Sequence, residues 1–175
     1  MNKQVWIEKA LGLGIQEFEI YQSTTVEKEM TWFQGQMDTL VSSKVTGTSI
    51  RGIVDGKMAN MALEEIDDSM CETVLKSLIE QAHIISNEET DSLRKPELIE
   101  YAKKDVTWNM ASTEYVKDIL QSLEAKILAY DPRVIQVGYL GYSQGSGSRS
   151  IVNSLGMDVQ AVSYTHLTLP TILRV

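Results

Sequence analysis

The stretch Gly47-Thr48-Ser49-Ile50-Arg51-Gly52-Ile53-Val54-Asp55-Gly56-Lys57-Met58-Ala59-Asn60-Met61-Ala62-Leu63 decides the fold. Asp55-Gly56 stands between two runs rich in β-formers. An Asp-Gly pair suits a type I′ turn, whose two central positions both need positive φ. The pair predicts a hairpin, with Val45 to Val54 as one strand and Lys57 to Leu63 as the other.

Toward the amino terminus the same period continues. Gln34-Gly35 reads as another turn, and Met37 to Ser43 as the strand that follows it. Before the turn, Phe18, Ile20 and Gln22 alternate with Glu17, Glu19 and Tyr21. Val26, Met30 and Trp32 alternate with Glu27, Glu29 and Thr31. A long strand results, with one face in the core and acids outside. A change of phase near Thr24 predicts a bulge or bend. Four successive strands with short turns make an antiparallel meander. Ahead of them, residues 3–13 read as a helix with Val5, Ile7, Ala10 and Leu11 on its apolar side, ended by Gly12 and Gly14.

Toward the carboxyl terminus the period changes to that of helices. Ser69 with Glu72 fits a capping box, and Asp67 and Asp68 are further capping acids. Ile66, Met70, Val74, Leu78, Ala82 and Ile85 then form one apolar stripe. Residues 86–111 are polar, contain Pro96 and read as a connector. A second helix starts near Ser112 or Thr113, with Val116, Ile119, Leu120, Leu123 and Ile127 as its stripe, and Asp131-Pro132 closes it. Val134 to Tyr142 reads as a strand, residues 143–148 as a flexible Gly/Ser hairpin loop, and Arg149 to Asn153 as the returning strand. Ser154-Leu155-Gly156 is a turn, and Met157-Asp158-Val159 begins another strand. The predicted fold class is α+β: a mostly antiparallel sheet, made of a four-strand meander plus a later hairpin, with helices packed on one face.

Composition narrows the function classes. The chain has 175 residues, 43% apolar and 23% charged, which suits one globular domain with its own core, or one domain plus a fragment of another. Sixteen basic residues against 24 acidic give a net charge of −8. That disfavours a nucleic-acid binder or a polybasic membrane-surface module. One cysteine excludes an internal disulfide framework. The start, Met-Asn-Lys-Gln-Val-Trp-Ile-Glu, carries charges where a signal peptide has an apolar core, and no apolar run approaches the ~20 residues of a membrane span. A cytoplasmic location is expected.

No residue set in the sequence assembles a catalytic centre. Glu80 and His83 share a helix face, as in half of a carboxylate metal site, but a second such pair is lacking, so they read as a surface polar pair. Cys71 reads as a small packing residue. The loop at 143–148 lacks the Lys of a phosphate loop. Met30, Met37, Met58, Met61 and Met70 read as core rather than as an adaptable groove. Trp6, Trp32 and Trp108 lack the basic interleaving of a nucleic-acid stacking site.

The order of several landmarks resembles the TldD/PmbA family of metalloproteases. These are Glu19-Ile20-Tyr21, Gln34-Gly35-Gln36, the Gly47 to Lys57 stretch, the helix from Asp67, Asp131-Pro132-Arg133 and Asn153-Ser154-Leu155-Gly156. The resemblance covers roughly residues 3–160. It departs from the family at position 34, where Gln replaces the usual Asn, and at Ala59-Asn60, which replaces a small-residue step. The resemblance implies the amino-terminal domain of a cytoplasmic peptidase that acts on peptides or unfolded segments, paired with a sister subunit as a homo- or heterodimer. In that family the zinc subunit carries a His-Glu-x-x-x-His helix, with the Glu as general base on a metal-activated water. That motif is absent from this sequence, and the short amino terminus with the Glu-Ile-Tyr stretch leans toward the metal-free PmbA type. No catalytic, cofactor-binding or metal residue carries over, so zinc is implied only for the parent complex. What carries over is Gly35, Asp55 and Gly56 as turn residues, and Arg51 as a sheet-face ion pair or a contact to a partner or peptide. The expected role is subunit assembly and substrate access, with no nucleic acid and no membrane as partner. The competing reading is a protein or peptide interaction module without enzymatic links.

The carboxyl-terminal stretch Val162-Ser163-Tyr164-Thr165-His166-Leu167-Thr168-Leu169-Pro170-Thr171 resembles a translated sequencing adapter. Residues 1–161 are then expected to be the family-type domain of a truncated natural protein, and 162–175 a non-native tail without structure after about Val159. Without the tail, 15 basic residues face 24 acidic ones, a net of −9.

Overall fold

The computed structural model describes residues 1–64, 66–86, 90–97 and 109–174, with residues 166–174 as backbone. Trp108 and much of the expected 86–111 connector lie outside the described residues. Elements run in the order α1 (Lys3–Gly12), β1 (Glu17–Phe33), β2 (Gln36–Val54), β3 (Lys57–Leu63), a 3-10 turn (Asp68–Met70), α2 (Cys71–Ile84), α3 (Thr113–Tyr130), β4 (Val134–Asn153) and β5 (Asp158–Arg174). The five strands form one open antiparallel sheet in the order β3-β2-β1-β4-β5. The α+β class is therefore observed, though its details differ from expectation.

The meander has three strands, not four. Met37–Ser43 and Val45–Val54 are parts of one strand, β2. Ser43-Lys44 offers neither a positive-φ residue nor a proline, so nothing turns the chain there. β1 likewise runs through Thr24 unbroken. The later hairpin also moves. The segment 143–148 is not a loop but the middle of β4. Gln144 is buried there and ties itself to Ala111, accepting from its amide at 2.9 Å and donating to its carbonyl at 3.1 Å. A Cβ on Gly145 would stand 3.3 Å from the Val26 carbonyl oxygen. Glycine here lets the neighbouring strand come close. The observed hairpin joins β4 to β5 through residues 154–157, closed by the Asn153 amide on the Met157 carbonyl at 2.9 Å. β5 extends to Arg174. An unstructured tail after Val159 is therefore not what the structure shows. A Thr/Val/Tyr-rich run readily adds to an open sheet edge, whatever its origin.

The chain divides into two compact units, each with its own core. The first comprises Met1–Thr24, Thr46–Ala102 and Ser148–Val162. Its core joins Trp6, Ile7 and Ala10 of α1, Phe18 and Ile20 of β1, Ile50 and Val54 of β2, Ala59 of β3, and Cys71, Val74, Leu75, Leu78 and Ala82 of α2. The second comprises Thr25–Val45, Lys103–Gly147 and Ser163–Val175. There Met30 and Trp32 of β1 and Val137 and Leu140 of β4 pack against Val116 and Leu120 of α3.

The helix starts differ from one another. α3 begins as expected: Ser112 accepts the Tyr115 amide at 3.1 Å. α2 does not use the Ser69–Glu72 box. Asp67 accepts the Ser69 amide at 2.7 Å and also its hydroxyl, which occupies that serine, while Glu72 turns to Lys76 at 2.6 Å. The Asn2 amide and the Trp6 indole N–H both donate to Asp68 and hold its carboxyl below its usual value. Among the methionines, Met30 is core, but Met37 and Met70 are exposed.

Candidate functional site

The first unit carries a polar network on the sheet face opposite its core. Phe18 and Ile20 point into the core, so Glu19 points the other way. Alternation therefore suggests an exposed acid, yet Glu19 is only 3% exposed. Three neighbours explain this. Arg51 of β2 donates from Nε to Glu19 Oε1 at 2.7 Å. Asn153 of β4 donates from Nδ2 to Glu19 Oε2 at 3.3 Å and to the Arg94 carbonyl at 2.9 Å. The segment 90–97 is tied to this face as well: Leu93 is buried, and its amide donates to Glu17 at 2.6 Å. Asn153 also accepts the Leu155 and Met157 amides, so the β4–β5 turn and the network share one side chain.

The β2–β3 turn borders this network. Asp55 and Gly56 have φ of 48° and 74°, the left-handed pair a type I′ turn requires. Gly56 donates its amide to Gln16 at 3.1 Å and accepts the Asp91 amide at 2.9 Å. The register pairs Val54 with Lys57 and Gly52 with Ala59. In a two-residue hairpin those are the hydrogen-bonded pairs, so Met58, Asn60 and Ala62 aim their backbone groups at the outer edge of β3. Asp91 takes the Met58 amide at 3.1 Å. Asn60 and Ala62 are left as an open edge among the described residues.

Arg51, Asp55 and Gly56 thus lie together in the first unit. Gly35 (φ 79°) follows Gln34 (φ 48°) in the β1–β2 turn of the second unit. There its amide reaches Glu124 at 3.2 Å. His83 stands 3.7 Å from Asp55, both exposed, and Glu80 is not part of that pair. Among the described residues no three His, Cys, Asp or Glu side chains converge as a metal site. Also among them, no helix is long and apolar enough to cross a membrane. Sequence reasoning missed Glu19, Asn153 and Asp91. The available signal was Arg51, the one cation in the run Val45 to Val54, where an acid on the neighbouring strand would pair with it.

Two family models match in succession: the PmbA/TldA metallopeptidase domain 1 over residues 18–86, and the PmbA/TldA metallopeptidase central domain over residues 107–168. The chain belongs to the PmbA/TldD family. No curated protein matches it significantly in sequence. Solved structures share the fold. TldE from Thermococcus kodakarensis is 18% identical, with a TM-score of 0.82, over 98% of this chain and 39% of that one. A protein from Thermotoga maritima, described as a candidate modulator of a DNA gyrase, is 17% identical, with a TM-score of 0.82 and the same coverage. A protein from Bacteroides thetaiotaomicron with a like description is 18% identical, with a TM-score of 0.69, over 93% of this chain and 38% of its own. The chain thus spans about two fifths of the length of these relatives.

Proposed function

We propose that this chain is the amino-terminal part of a TldD/PmbA-like cytoplasmic peptidase, serving subunit assembly and peptide access rather than bond cleavage. One observation carries the reading: the first and central domain models of that metallopeptidase family match in order along one chain. The open edge of β3 suits it. Backbone groups at Asn60 and Ala62 offer an extended peptide the hydrogen bonds of an added strand. The sister subunit would complete the complex, and any zinc would be held outside the residues described here. Reading the coding sequence downstream of this chain tests the proposal. A His-Glu-x-x-x-His motif there identifies the zinc subunit. The remaining family pattern without that motif identifies its partner. A continuation with neither pattern refutes the reading.

A further inference from the structure

The first unit also contains an open cleft of about 530 Å³, lined in part by Lys3, Gln4, Gln22, Arg149, Asp158 and Gln160. Its charge runs against that of the chain. The whole sequence carries −8, but here Lys3 and Arg149 face a single carboxylate, Asp158. Lys3 spends one ammonium hydrogen on Ser150 Oγ at 2.6 Å and keeps two. Among the described residues, no carboxylate pairs with Lys3 or Arg149. Gln22 donates to Thr48 at 3.3 Å, which leaves its carbonyl oxygen as an acceptor. Gln4, Gln22 and Gln160 bring amides to the cleft from α1, β1 and β5, with Gln4 also donating to Glu8 at 3.0 Å. Such amides offer both donors and acceptors, the complement of a peptide backbone. Val152 and Met1 supply apolar lining for a side chain.

We propose that this cleft holds the carboxyl-terminal end of a peptide, its carboxylate on Lys3 and Arg149 and its last amides against the glutamines. This deepens the peptidase reading and rests on it for the choice of a peptide as ligand. Two cations on one carboxylate supply charge-assisted hydrogen bonds, which outweigh neutral ones. A peptide ending in an amide loses them.

The test titrates the full 175-residue chain with a fluorescein-labelled hexapeptide, as free acid and as carboxyl-terminal amide, at low salt. Anisotropy is expected to show the acid binding about tenfold tighter, a difference of ~1.4 kcal/mol. Lys3→Gln with Arg149→Gln is expected to erase the difference. Arg149→Gln alone alters an exposed side chain that has no ion-pair partner among the described residues, so it keeps the test valid if the double variant is unstable; it is expected to lose part of the preference. Equal binding of acid and amide, or no binding of either, overturns the proposal. Displacement of the acid by inorganic phosphate at equal concentration overturns the peptide assignment in favour of a bare oxyanion. The two readings fail separately. A downstream sequence foreign to the family removes the peptidase reading and leaves an acid preference standing, whereas equal binding in a chain with the family continuation removes only the cleft.

Discussion

Arg51 and Glu19 form an ion pair at 2.7 Å in which the acid is buried and the arginine is 43% exposed. The asymmetry sets what each substitution does. Removing Arg51 strands a carboxylate that, among the described residues, keeps only the Asn153 hydrogen bond. A buried charge without its partner is costly, and the open side of the arginine lets water repay part of that cost. Arg51→Gln is expected to lower stability by about 1–3 kcal/mol in urea melts. Replacing both residues, as Glu19→Gln with Arg51→Gln, is expected to cost less than the sum of the single changes. Additive losses would show that the pair is not coupled.

Gly52 of β2 lies against Ile15 and against Leu78 of α2 with no room for a methyl group. A Cβ there would lie 2.9 Å from Ile15 Cγ2 and 3.0 Å from Leu78 Cδ2. Gly52→Ala overpacks a core that already includes both partners. A loss of about 1–3 kcal/mol is expected. Gly47→Ala serves as the control, because its Cβ would meet only Ser23 Oγ at 3.8 Å. Equal denaturation midpoints for the two variants would contradict the packing argument.

In the second unit, Trp32 donates its indole N–H to Glu124 Oε2 at 2.8 Å, and the Gly35 amide donates to Oε1 at 3.2 Å. One helix residue thereby fixes both a buried indole and the β1–β2 turn. Glu124→Ala leaves both donors without their acceptor and is expected to cost about 1–3 kcal/mol. Glu124→Gln keeps one carbonyl acceptor and is expected to cost less. Tryptophan emission followed through the urea transition reads both. An alanine variant as stable as the parent would show that water replaces the carboxylate.

Local signals in the sequence were legible where one residue type has one dominant reason to be present. Asp55-Gly56 and Gln34-Gly35 both adopt positive φ, because few other pairs do so cheaply. The stripe from Val116 to Ile127 was legible because burial on a single helix face enforces its period. The stretch Ser143–Ser148 was misread because glycine has two uses. Composition alone does not separate a flexible loop from a strand that a neighbour approaches closely. Glu19 was misread for a related reason. Alternation tells which face of β1 it occupies, but not that residues 90–97 and Asn153 are tied to that face. Both facts depend on partners far away in the chain, which no local pattern encodes. The cleft formed by α1, β1, β4 and β5 was invisible for the same cause.

Cys71 opens α2 with 1% of its surface exposed, and burial pushes its thiol above its ordinary pKa of 9.0. Because the nucleophile is the thiolate, the folded protein protects Cys71 twice, by access and by ionisation. A disulfide reagent at pH 8 is expected to label the chain roughly 100-fold more slowly in buffer than in urea, since reaction waits for opening. The raised value also fixes the sign of a pH effect. As pH rises, the unfolded thiol ionises first, so the unfolded state releases its proton while the folded state retains it. The contribution to stability is complete below pH 9.0 and is lost as pH climbs from there through the folded value. Cys71→Ala removes this slope. The difference in stability between parent and variant is therefore expected to be flat up to about pH 8 and to narrow above pH 9.0, read from urea melts at each pH. Rapid labelling of the folded chain, or a difference that stays constant to pH 10, would place the thiol in water rather than in the core of the first unit.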